Sequence, residues 1–219
     1  MNINNIAIKI EHTNLKPEAT IEDIIKLCNE AKQYGFYGVC INSQYVKIVK
    51  EQLRDSKYKI VTVVGFPLGA CISTVKSEEA RLSVNMGADE IDMVMAIGLF
   101  KSKKYEEITE DIKRVVKATQ GKPVKVIIET ALLTDDEKRK ACELIKISGA
   151  AFVKTSTGFS PSGAKIDDIK LIRKIVGNEI GIKAAGGIKD YQTAKAMIEA
   201  GANRLGCSAS VNIVSQNIL

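Results

Sequence analysis

The sequence predicts an α/β fold, a compact single-domain (β/α)8 TIM barrel spanning residues 1–219. Three observations predict it. Eight short β-branched runs alternate with longer segments of helical period, a glycine closes every second helix, and charged residues end strands that are otherwise apolar. A length of 219 residues suits one domain and falls a little below the roughly 250 typical of this architecture, so few insertions are expected.

The expected strands are Lys9–Thr13, Tyr37–Asn42, Lys59–Val64, Glu90–Met95, Val124–Glu129, Phe152–Thr155, Ile180–Ala184 and Arg204–Ser208. Between them lie helical segments at Ile21–Tyr34, Ser43–Leu53, Ile72–Met86, Lys103–Thr119, Asp135–Ser148, Ile166–Val176 and Tyr191–Ala200. In the first of these, Ile21, Ile24, Ile25, Leu27 and Cys28 recur at three- and four-residue steps and form one apolar face. Thr20 and Thr134 stand at N-cap positions, each followed by acids in the first turn. Gly35, Gly87, Gly149 and Gly201 each end a helix and lead straight into a strand, at spacings close to two βα units. Right-handed crossovers then close eight strands into a barrel. An open doubly wound sheet would carry a glycine fingerprint after its first strand, whereas Glu11-His12-Thr13-Asn14-Leu15-Lys16-Pro17 has none.

Composition excludes several classes. With 45% hydrophobic and 26% charged residues the chain is ordinary globular protein, and no apolar run approaches the roughly 18 residues of a membrane span. Met1–Lys9 lacks the layout of a secretory signal. Cys28, Cys40, Cys71, Cys142 and Cys207 are scattered without a CxxC pair, which fits reduced thiols in a cytoplasmic protein. A net charge of +6 could serve anionic ligands, but the lysines alternate with acids along helices such as Lys101–Lys117, as on solvated faces. Aromatic residues make up 5% and tryptophan is absent, so stacking platforms for nucleic acid are scarce. Neither nucleic acid nor membrane is an expected partner.

In a barrel of this kind, chemistry sits at the C-terminal ends of the strands. Asp92 lies within Glu90-Ile91-Asp92-Met93-Val94-Met95, Lys154 ends Ala150-Ala151-Phe152-Val153-Lys154, and Lys183 ends Ile180-Gly181-Ile182-Lys183. A lysine in a buried strand is disfavoured unless paired or functional. Two inward lysines on neighbouring strands would each disfavour the other's charge, and desolvation acts the same way. A lysine with an ordinary value of about 10.4 could then approach roughly 7–8 and attack a carbonyl as the free amine. Asp92 would pair with one lysine and move protons through a bound water. Thr155–Gly158, Gly186-Gly187 and Gly206-Cys207-Ser208 follow strands six, seven and eight, where such barrels often bind phosphate. Cys40, Cys207 and His12 read more simply as buried structural residues. Lys125 and Glu129 share strand parity and could form a buried pair without a chemical role.

Phe152-Val153-Lys154-Thr155-Ser156-Thr157-Gly158-Phe159, Gly181-Ile182-Lys183-Ala184-Ala185-Gly186-Gly187-Ile188 and Gly87-Ala88-Asp89-Glu90-Ile91-Asp92 together resemble the deoxyribose-phosphate aldolases, a class I aldolase family. So do Val64-Gly65-Phe66-Pro67-Leu68-Gly69 and Lys125-Val126-Ile127-Ile128-Glu129-Thr130, and the similarity runs from about Ile10 to Ser208. The resemblance implies reversible cleavage of 2-deoxy-D-ribose 5-phosphate to D-glyceraldehyde 3-phosphate and acetaldehyde, a step of deoxyribonucleotide catabolism. It implies Lys154 as the Schiff-base lysine, Lys183 as the lysine that lowers its pKa, and Asp92 in the proton relay. It also implies substrate contacts at Glu11, Cys40 and Thr157, and phosphate contacts at Gly158, Gly186, Gly187, Gly206 and Ser208. No metal or other cofactor is implied, and the oligomer would be a homodimer or homotetramer.

The sequence departs from the family pattern in four places. Glu11 stands where an aspartate is usual, Phe159 replaces a lysine seen in some members, and Ala209 replaces a second serine. The end, Asn217-Ile218-Leu219, lacks the terminal tyrosine that some members fold into the site. Two other readings remain. A different phosphate-binding TIM-barrel enzyme, such as a sugar-phosphate isomerase or epimerase, would need an acid–base pair but release no acetaldehyde. A nucleic-acid binder would show steep salt dependence and a basic patch, which the sequence lacks.

Overall fold

The computed structural model describes residues 3–215. Eight strands pair in chain order, each parallel to the next: β1 (Ile10–Asn14), β2 (Gly38–Ile41), β3 (Lys59–Val64), β4 (Glu90–Val94), β5 (Val124–Ile127), β6 (Phe152–Lys154), β7 (Gly181–Ala185) and β8 (Arg204–Cys207). β8 closes onto β1, with Glu11 opposite Gly206. The helices are α1 (Ile3–Ala7), α2 (Ile21–Tyr34), α3 (Val46–Gln52), α4 (Ser73–Met86), α5 (Ile97–Lys101), α6 (Tyr105–Ala118), α7 (Asp135–Ser148), α8 (Ile166–Val176), α9 (Tyr191–Glu199) and α10 (Ser210–Ser215). Among the described residues, no helix is long and apolar enough to cross a membrane.

The helix boundaries follow from local chemistry. Thr20 accepts the Asp23 N–H while the Asp23 carboxylate accepts the Thr20 N–H, a reciprocal box that starts α2. Thr134 and Glu137 repeat it at α7, where Asp135, Asp136 and Glu137 also face the positive end of the helix dipole. α2 and α7 stop at Gly35 and Gly149, both left-handed, with φ of 66° and 80°. α2 buries Ile24, Leu27, Cys28 and Ala31 against the barrel, whereas Ile21, at the start of the helix, is exposed and Ile25 only half-buried, so the buried face is narrower than the sequence spacing implies. Each fully buried Ile or Leu contributes about 1.5–3 kcal/mol. Ile24→Ala would cost about 2–5 kcal/mol by leaving a cavity there.

Three short helices were not expected from the sequence. α1, α5 and α10 run five or six residues, too short for periodicity to register and held by tertiary burial of Ile6, Phe100 and Ile213. The first of them, at Ile3–Ala7, precedes the first strand. The expected Ser43–Leu53 helix divides into a 3-10 turn at Ser43–Tyr45 and α3, because the chain leaves β2 in a tight turn without a side-chain cap.

The main apolar core lies between the outer face of the barrel and the helices. The barrel interior differs. On its β1–β3 side it holds a small apolar cluster of Leu15, Cys40, Val61 and Val63, and beside it, with Val63 opposite Asp92 in register, Glu11, Asp92, Lys125 and Lys183 are wholly buried. Layers of branched aliphatic side chains usually fill this space. Two glycines make room for the charged filling. A Cβ at Gly206 would stand 2.9 Å from Lys183 Cε, and one at Gly181 would stand 2.2 Å from the Phe152 ring.

Candidate active site

Strand register assembles the charged interior. β4 and β5 set Asp92 opposite Lys125, and β6 and β7 set Lys154 opposite Lys183. Asp92 Oδ2 accepts hydrogen bonds from both Lys154 Nζ, at 2.8 Å, and Lys183 Nζ, at 2.6 Å. Its Oδ1 accepts from Lys125 Nζ at 3.1 Å. Lys183 also donates to Glu11, and Lys125 lies 2.5 Å from Glu90 Oε2 and 3.4 Å from Glu11 Oε1. Arg204 Nε stands 3.8 Å from Glu11. Lys125 thus has three carboxylate neighbours and Lys183 two, whereas Lys154 has one oxygen, shared with another cation.

This geometry corrects the expectation that the two lysines lower one another alike. Burial disfavours the Lys183 charge, but Asp92 and Glu11 outweigh it and hold its pKa well above the ordinary lysine value. Lys183 is a permanent cation at neutral pH. Asp92 is correspondingly a permanent anion: burial opposes its charge, but Lys125, Lys154 and Lys183 together hold its carboxyl well below the usual range. Burial pushes the Cys40 thiol up to about 11, so it is protonated, 3.9 Å from Asp92 Oδ2.

Above this floor opens a cavity of about 780 Å³, lined by Lys154, Thr157, Gly158, Gly186, Gly187, Gly206 and Ser208. Seven of the residues singled out in the sequence therefore meet at one opening. Glu11, Cys40, Asp92 and Lys183 do not line it; Asp92 meets Lys154 directly, Lys183 and Cys40 meet Asp92, and Glu11 meets Lys183. Gly158, Gly186 and Gly187 have φ of 88°, 87° and 77°, a left-handed region that glycine adopts without strain. Gly163, which the sequence reading missed, backs this loop. Its Cβ would stand 2.2 Å from the Gly186 carbonyl carbon, and the Ala164 N–H donates to Gly186 O at 3.1 Å.

Other assignments are sorted by their contacts. Thr157 donates its hydroxyl to Glu129, so part of its capacity is spent within the loop. Lys125 and Glu129 do not pair. β5 ends at Ile127, and Glu129, at φ 53°, turns away to Thr157. His12 is braced between Ser210 Oγ at 2.9 Å and Glu30 Oε2 at 2.8 Å, and burial lowers its pKa, as for a structural histidine. Phe159 lies at the rim, edge-on to Phe66 with centroids 5.3 Å apart. Lys16, Lys26 and Lys189 also line the rim, and the sequence reading did not single them out. Asn217-Ile218-Leu219 lies outside the described residues. Ligand atoms of Glu11, Cys40 and Asp92 lie within 4.8 Å of one another, but the Lys183 ammonium already bridges the two carboxylates, which leaves a metal ion competing with a fixed cation.

A closed (β/α)8 barrel with an amine at the base of a glycine-lined cavity has the make-up of a sugar-phosphate lyase barrel. Residues 5–216 match the DeoC/LacD family aldolases, and the chain belongs to that family. It is 58% identical over 214 residues to the deoxyribose-phosphate aldolase of Thermococcus gammatolerans, covering 96% of this chain and 95% of that one. The solved structure of the aldolase QR15 superposes with a TM-score of 0.93 at 38% identity, covering 96% and 95% of the two chains. A tetrameric deoxyribose phosphate aldolase from Aeropyrum pernix gives 0.92 at 30% identity, covering 98% and 91%.

Proposed function

We propose that the protein cleaves 2-deoxy-D-ribose 5-phosphate reversibly to D-glyceraldehyde 3-phosphate and acetaldehyde, with Lys154 as the Schiff-base residue. The observation that carries the assignment of Lys154 is its place at the cavity floor with one carboxylate oxygen, which it shares with the permanently charged Lys183. Of the three buried lysines in the barrel it has the fewest carboxylate neighbours. Its amine attacks the aldehyde carbon of the open-chain sugar, water leaves, and a protonated imine forms. The C3 hydroxyl proton passes to a water held by the Asp92 carboxylate as the C2–C3 bond breaks; C3 leaves as the aldehyde of D-glyceraldehyde 3-phosphate, and the electron pair moves to the imine nitrogen to give an enamine. The water returns the proton to C2, and hydrolysis of the resulting imine releases acetaldehyde and the free amine. Asp92, fixed as an anion beside Lys154, and Lys183, fixed as a cation, hold the charges among which these protons move.

The turns at Gly158, Gly186, Gly187 and Gly206–Ser208 are assigned to the phosphate, and Glu11, Cys40 and Thr157 to the environment of the sugar end. The bulk of this substrate suits the cavity volume. A place in deoxyribonucleotide catabolism, a cytoplasmic location and a homodimeric or homotetrameric assembly accompany this reading. The experiment is reduction with borohydride in the presence of acetaldehyde, followed by peptide mapping. Modification at residue 154 is expected; an unmodified Lys154 in protein that turns over substrate overturns its role. A sugar-phosphate isomerase would give no acetaldehyde in a coupled assay.

A further inference from the structure

Lys125 is wholly buried and is not among the residues that line the cavity. Its ammonium is instead the junction of the barrel's three buried carboxylates, Glu90 at 2.5 Å, Asp92 at 3.1 Å and Glu11 at 3.4 Å. It is held in turn from the opposite end of the barrel. The Tyr37 hydroxyl donates to Glu90, and Arg204 covers the Tyr37 ring 3.2 Å from its centroid. These contacts leave the ammonium little freedom to move.

The consequence falls on Asp92. Its two oxygens have different duties: Oδ1 is taken by Lys125, and Oδ2 serves Lys154 and Lys183 together. Without Lys125 the carboxylate could rotate to meet Lys183 with both oxygens, and the bond to Lys154 would be lost. Asp92 and Glu90, whose carboxyls Lys125 helps to hold below their ordinary range, would lose that cation and take up a proton at higher pH.

We propose that Lys125 is a positioning residue for Asp92, holding Oδ1 so that Oδ2 is turned toward Lys154. This rests on the aldolase reading above. The test compares wild type with Lys125→Met, and with Lys125→Met/Glu90→Gln, which removes one carboxylate along with the lysine. Each is measured for kcat, KM and the pH dependence of kcat with 2-deoxyribose 5-phosphate. The expected result is a fall in kcat of about 100-fold, a KM within about threefold of wild type, and an acidic limb moved to higher pH. Folded variants with the wild-type pH profile overturn the proposal. Failure of both to fold overturns it too, because Lys125 would then be a structural residue. A wild-type protein that neither cleaves the sugar nor is trapped by borohydride fails the aldolase reading instead, before any variant is compared.

Discussion

Buried lysines occupy two regions of this molecule, and they are partnered differently. In the helical layer, Lys76 meets Asp111 at 2.7 Å and the Val94 carbonyl at 3.1 Å, and Lys138 meets Asp168 at 2.6 Å. Each of these cations has a carboxylate that serves no other lysine. Inside the barrel, Lys125, Lys154, Lys183 and Arg204 share Glu11, Glu90 and Asp92. Positive charge is in excess there. A matched pair compensates its own desolvation and fixes two helices, whereas in the barrel four cations share three carboxylates. The sharing, and not burial itself, distinguishes the barrel lysines from those of the helical layer.

The largest effect that can break this contrast is at Lys154. Lys154→Met is expected to lower kcat/KM by about 10⁴-fold, since the covalent route disappears. Because it removes the excess cation, it should leave the urea midpoint at or above that of wild type. A variant that is inactive only because it is unfolded would erase the distinction. Lys76→Met should behave in the opposite way. It leaves Asp111 buried without its cation, at a cost of about 3–5 kcal/mol, while kcat at a temperature where the protein remains folded stays near wild type. Denaturant melts and steady-state kinetics on the two variants decide between the patterns.

How much of this was legible beforehand depended on the range of the interaction. All eight strands and the capped helices α2 and α7 follow from local pattern, because β-branching, Thr20, Thr134 and the terminal glycines act within a few residues. The grouping of Lys154, Lys183 and Asp92 was equally readable, since strand order and parity alone bring them together. The role of Lys125 was not. Parity showed that it points inward but not which anion it meets, and the pairing with Glu129 failed because parity ends where β5 ends. Glu11 was assigned to substrate from resemblance, yet the structure ties it to Lys183 and Lys125, contacts set by barrel closure between distant parts of the chain.

Acid should separate the regions by a smaller margin. Asp92 and Glu90 have folded-state pKa values below their ordinary ones, with their lysine partners outweighing burial. Their contribution to stability is therefore fully present above the unfolded carboxylate values of about 3.9–4.3 and is lost as pH falls through the folded ones. The urea midpoint should fall progressively from about pH 5 downward, as the unfolded chain takes up protons that the folded Asp92 and Glu90 do not. In Asp92→Asn the drop should be shallower, from a lower starting stability. An acid dependence as steep as that of wild type would place the titration elsewhere.

The smallest expected effect concerns the rim, where the molecule has an aromatic residue instead of a cation. Phe159 stands half-exposed against Phe66 at the edge of the cavity, one residue beyond Gly158. Phe159→Lys would place an ammonium beside the glycine turns assigned to phosphate, at a solvent-exposed position where one charge pair is worth about 0.2–1 kcal/mol. The expected change is a decrease of about two- to fivefold in KM for 2-deoxyribose 5-phosphate, with kcat unchanged. Unphosphorylated 2-deoxyribose should show no such gain, and added salt should remove it by screening. An equal improvement for both sugars would mean that loss of the ring, not gain of charge, had opened the rim. The phosphate would then have to be bound by a different part of the cavity from the one bounded by Gly158, Gly186 and Gly187.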